Sequence, residues 1–112
     1  MPGFPAGRLR DRVAIELETR QPNGQGGFVT AWAPIAGGGS VPAQVIGLSG
    51  DEAISAAVER SVQQWRVTIR DRPGLTTKHR LRRGGQLLDV KSILPHPNFD
   101  RTLVLICESS GG

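Results

Sequence analysis

The sequence predicts an all-β fold: a small antiparallel barrel or sandwich of about six strands, with one short inserted helix and a long flexible loop. Three observations predict it. Apolar and polar residues alternate through residues 13–18 and again through 65–70, the period of a half-buried strand. Fifteen glycines and eight prolines in 112 residues favour turns over long helices. The stretches between the extended runs are mostly short and rich in turn residues, which suits consecutive antiparallel strands.

The first strand places Val13, Ile15 and Leu17 on one face and Ala14, Glu16 and Glu18 on the other. Pro22, Asn23-Gly24 and Gly26-Gly27 then form a hairpin turn, after which residues 28–35 resume extended, aromatic and β-branched character. Pro34 has no amide hydrogen for a central ladder and should end regular pairing. Gly37, Gly38 and Gly39 break the chain. Residues 41–48 read as a third strand, with Pro42 marking an edge or a strand beginning. From Ser49 the period changes. Asp51 and Glu52 occupy a first helical turn, where the helix dipole favours anions, and Ile54, Ala57 and Val58 follow at helical spacing, so a helix is predicted over 51–61.

Trp65, Val67 and Ile69 alternate with Arg66, Thr68 and Arg70 in the clearest strand of the chain. Pro73-Gly74 turns, and Lys78, His79, Arg80, Arg82 and Arg83 then read as a basic loop. Another extended run covers 86–94. The last strand, 102–108, carries Leu103, Val104, Leu105, Ile106 and Cys107 without alternation, so it is expected to be central and covered on both faces. The whole reads as a single domain, 1–112, with residues 1–7 and 109–112 expected to be flexible. A chain of this length buries roughly two thirds of its unfolded surface, enough for one modest core.

The chain carries a formal charge of +4 and one cysteine, Cys107, which has no partner for an intramolecular disulfide. No apolar run approaches the roughly 18 residues of a membrane-spanning helix, so no membrane partner is expected. Little in the sequence is patterned for catalysis. His79, His96 and Cys107 have no metal-ligand spacing, and Cys107 lies in an apolar run that suggests a small buried hydrophobe. The glycine-rich stretches match no phosphate-binding spacing, and there is no nucleophile elbow. No enzyme activity, metal or cofactor is expected. The basic residues permit two readings. One is a cationic surface for solubility or protein contact; the other is nucleic-acid binding, weakened by the absence of aromatics from the basic loop itself.

Several short motifs occur in order: "GRLRDRVAIE" from Gly7, "GGFVTAWAPI" from Gly26, Leu48-Ser49-Gly50-x-Glu52, V-T-I-R-x-R-P-G from Val67 to Gly74, and G-G-x-L-L-D-V from Gly84 to Val90. In this order the chain resembles the head-tail joining proteins of long-tailed bacteriophages, the head-closure, stopper or head-completion family, with relatives in phage-like gene transfer agents. The resemblance implies a structural protein of the virion or phage-like particle. It implies a ring of copies, twelve in number, between an adaptor or portal-side connector and a tail terminator or tail-tube protein. DNA passes through the lumen, and a loop closes the channel in some relatives. On that basis Gly37, Gly38, Gly39, Ser49, Gly50, Asp51 and Glu52 are candidates for a lumen, gating or inter-ring loop. Arg70, Arg72, Lys78, Arg80, Arg82 and Arg83 are candidates for a basic contact surface. Cationic groups lining a channel would grip passing DNA, so that surface is expected to meet carboxylates such as Glu16, Glu18, Asp51 or Glu59 across a subunit or ring contact. The alternative is a small basic β-barrel that binds nucleic acid.

Overall fold

A computed structural model describes residues 3–48 and 62–110. Seven strands follow a short 3-10 turn at Ala6–Arg8: β1 Asp11–Pro22, β2 Phe28–Pro34, β3 Val41–Gly47, β4 Val62–Arg70, β5 His79–Arg83, β6 Gln86–Pro95 and β7 Thr102–Ser110. The predicted helix at 51–61 lies outside the described residues. All strand pairs are antiparallel, and the sheet order is β2-β1-β3-β4-β7-β6-β5.

That order closes on itself because β1 also pairs with β5. Glu16 and Leu17 pair at once with β2 and with β5, so these two strands occupy opposite edges of β1. The first residues of β1, Asp11 to Val13, pair with β3. The result is a six-strand barrel in which β1 is the common stave, while the outer part of β1 and all of β2 continue beyond it as a hairpin. Closure is what gives so small a chain a core: Val13, Ile15, Ile69, Leu81, Leu88 and Leu105 point inward and are almost wholly buried. β7 is central, between β4 and β6, as its continuous apolar run predicts.

The hairpin turn is built by its own side chains. Asn23 Oδ1 accepts from the backbone N–H groups of Gln25 and Gly27, and Gly24 and Gly26 supply positive φ angles. Pro34 ends β2, and Pro42 stands at the beginning of β3 rather than at a sheet edge. Between them Gly38 is buried. Its carbonyl accepts from the Ile15 N–H at 2.7 Å, and its own N–H donates to Ile35 at 2.8 Å. A methyl group added at Gly38 would stand 2.5 Å from Ile35 Cγ1. Gly38→Ala is therefore expected to lower stability by about 1–3 kcal/mol. Gly39→Ala, facing open space, should change it by under about 0.5 kcal/mol. Urea unfolding midpoints of the two variants compare them directly.

Two differences from the sequence reading affect function. The basic segment is not a loop but strand β5, flanked by β1 and β6. Its inward residues are His79 and Leu81, and because one of the two is a histidine between cationic neighbours, the alternation is masked by charge. At the N-terminus, Gly3 and Phe4 contact the barrel although the sequence gives them no strand pattern. Gly3 forms a parallel bridge with Asp100, and Phe4 is buried against the β6–β7 turn. That turn is held by the His96 N–H donating to Thr102, by the Asn98 N–H donating to His96 Nδ1, and by Arg101 at φ 53°.

Candidate functional site

The strongest electrostatic feature lies where the barrel closes. Glu16, on the outward face of β1, is only 4% exposed. β5 runs beside it and, with side chains alternating, places Arg80 and Arg82 on the same outward face. Arg80 Nε donates to Glu16 Oε1 at 2.8 Å and Arg82 Nε to Oε2 at 3.1 Å, so each carboxylate oxygen has its own guanidinium. Burial pushes the Glu16 pKa up, but the hydrogen bonds and charges of Arg80 and Arg82 outweigh it and hold the carboxyl below its ordinary value. Arg80 is further fixed by the Trp32 ring, whose centroid lies 4.2 Å from its guanidinium carbon. One anion thus binds two cations across a seam joining distant parts of the chain.

The other basic candidates are distributed rather than gathered. Arg83 stands over Trp65 at 5.4 Å, and the Trp65 indole N–H donates to Ser109 Oγ. Lys78 lies in a shallow depression with Leu17, Glu18 and Arg20. Arg70 lines another with Gly3, Asp100 and Arg101, and the Arg72 guanidinium lies beside Gly37. The structure therefore brings Arg80 and Arg82 together and separates them from Arg70 and Arg72. Of the loop candidates, Gly37, Gly38 and Gly39 form the short bridge from β2 to β3, with Gly37 at positive φ. Ser49, Gly50, Asp51 and Glu52 lie outside the described residues. Glu16 is indeed a carboxylate that meets the basic segment, but within its own chain rather than across a subunit boundary.

A second feature has no local sequence signal. A groove of about 410 Å³ crosses the outer face of four strands. Its floor is a row of cross-strand neighbours: Gln44 beside Thr68, Thr68 beside Val104, and Val104 beside Leu94. Phe4 forms one wall and packs edge-on to Phe99 at 5.1 Å, and Phe99 in turn meets His96 at 4.8 Å. Arg8 and Arg66 also border the groove.

No group of three or more His, Cys, Asp or Glu side chains among the described residues is arranged to hold a metal. His79 is buried in the wall of the barrel, where its Nδ1 accepts from the Thr76 N–H, a structural turn contact. Burial, reinforced by the negative charge of Asp89, pushes the Cys107 thiol up to about 12, so almost no thiolate is present at neutral pH. No described helix is long and apolar enough to cross a membrane.

Comparison with known proteins agrees with this architecture. The head completion protein gp7 of Enterobacteria phage HK97 is 42% identical over 77 residues, a stretch covering 67% of this chain and 64% of that protein. Among solved structures, protein SF1141 of Shigella flexneri 2a superposes with a TM-score of 0.70 at 26% identity, covering 95% of this chain and 96% of that one. A chain of the native gene transfer agent virion shares the fold at a TM-score of 0.59 and 15% identity, covering 90% and 94%. The family model for phage head completion proteins matches residues 4–110, so the chain belongs to that family.

Proposed function

We propose that the protein is a structural ring component at the head-tail junction of a phage or phage-like particle. In this reading, copies arranged around the exit channel stand between the portal-adaptor complex and the tail, close the channel around the packaged DNA, and present the surface on which the tail docks. Family membership across nearly the whole chain is the observation that carries it. The geometry supports it in two ways. Among the described residues β2 pairs with β1 alone, on a hairpin that extends beyond the barrel, a shape suited to a heterologous contact in which one face of a subunit meets a different face of the next. Arg80 and Arg82 are bound by Glu16 and held at the barrel seam, which leaves them poorly placed to collect phosphates. The loop candidates Gly37, Gly38, Gly39, Ser49, Gly50, Asp51 and Glu52 remain the proposed lumen or inter-ring segment.

Deleting the gene and imaging the resulting particles tests the proposal. The expected outcome is filled heads without attached tails, restored when the protein is supplied in trans. Normal tailed particles in its absence would exclude the junction role. Tight DNA binding by the purified protein, falling steeply with salt and lost in Arg82→Ala/Arg83→Ala, would instead favour a nucleic-acid-binding barrel.

A further inference from the structure

We infer that the groove between Phe4, Val104 and the His96–Phe99 turn is a docking site for a short acidic segment of a partner protein, one with an apolar side chain flanked by carboxylates. This goes beyond the ring reading and stands on the groove alone. The chemistry is laid out in two parts. Val104, Leu94 and Pro95, with the Phe4 and Phe99 rings, provide an apolar surface, and Leu94 is 53% exposed beside the buried Val104 and Phe4. An exposed leucine on the floor of an aromatic-walled depression is what a docked apolar side chain would cover. The charged part is one-sided. Arg8 and Arg66 border the groove, and neither forms a salt bridge with any described residue. The Arg8 guanidinium carbon lies 5.9 Å from the centre of the Phe4 ring. This contrasts with Arg80 and Arg82, which share Glu16. A partner carrying carboxylates would supply the missing charge.

Shape favours a peptide over a nucleic acid. The space is a local depression about the size of a few side chains, its aromatic walls packed on one another rather than splayed for base stacking. The walls are also prearranged. The Gly3 bridge to Asp100 and the backbone bonds of the β6–β7 turn fix Phe4, His96 and Phe99 before any partner arrives, which reduces the ordering cost of binding.

The test is an array of random heptapeptides probed with the labelled full chain beside an Arg8→Glu/Arg66→Glu double variant. Binding is expected to concentrate on peptides with two or more Asp or Glu around Leu, Ile or Phe, and to fall at least tenfold in the double variant. Amide NMR shifts on adding a selected peptide should centre on Thr68, Val104 and Phe99. Leu94→Asp, at an exposed position that should leave the fold intact, is expected to weaken binding tenfold as well. A bound set without acidic enrichment, no binding at all, or binding unchanged in these folded variants would overturn the inference. So would competition by a short DNA duplex for the same groove. The deletion experiment on particles reads a different property, so either proposal can fail without the other.

Discussion

Leu81→Ala is expected to lower stability by about 3–4 kcal/mol and the melting temperature by roughly 15 °C. Leu81 lies between Arg80 and Arg82, yet it is fully buried, pairing with Ile15 on one side and Leu88 on the other. Truncating it leaves a cavity in the middle of the barrel, where staves on both sides are held by hydrogen bonds and cannot collapse inward. The control is Leu87→Ala. Leu87 is 40% exposed and lies opposite Arg82, so its loss should change stability by less than about 1 kcal/mol. Equal and small effects at both positions, measured by urea denaturation, would mean that residues 79–83 are a surface loop after all.

Glu16→Gln is expected to lower stability by about 2–3 kcal/mol at pH 7, because it leaves Arg80, whose side chain is only 14% exposed, without its counter-charge. Arg82 is 43% exposed and solvent screens much of its share, so Arg82→Ala should lower stability by under about 1 kcal/mol. The effect has a definite pH dependence. The folded Glu16 pKa lies below its ordinary value of 4.5, so the folded state binds fewer protons at this site than the unfolded state does. Its stabilisation is therefore complete above the ordinary pKa and is lost as pH falls through the lower, folded value. Wild type and Glu16→Gln should differ most near pH 7, and the gap should narrow as pH falls below the ordinary value of 4.5. A gap that stays constant between pH 7 and pH 3 would show that the carboxylate charge contributes nothing.

These two residues also show where sequence reasoning succeeds and where it stops. The alternation through β1 and β4 is visible because their inward positions are aliphatic. In β5 the same alternation holds, but its inward residues are His79 and Leu81 and its outward residues are arginines, so charge density conceals the period. β2 is legible as extended chain from its residue types. Its lack of a buried face is not, since that follows from lying beyond the barrel. Glu16 reads correctly as a polar-face residue. Its burial could not be read, because the guanidinium groups covering it arrive 64 and 66 residues later. The groove is assembled from the N-terminal arm, four strands and a turn, none of which carries a marker of its own.

The joint between β1 and β5 has a kinetic consequence. Its partners are separated by most of the chain, so the loop entropy of bringing them together is large and their pairing is favoured only after β6 and β7 are in place. A chain emerging from the ribosome exposes one raw edge of β1 for the whole of that interval, and a second nascent copy carries an identical one. Intramolecular sealing therefore competes with pairing between copies, and the Glu16 contacts to Arg80 and Arg82 can form only once the joint has closed.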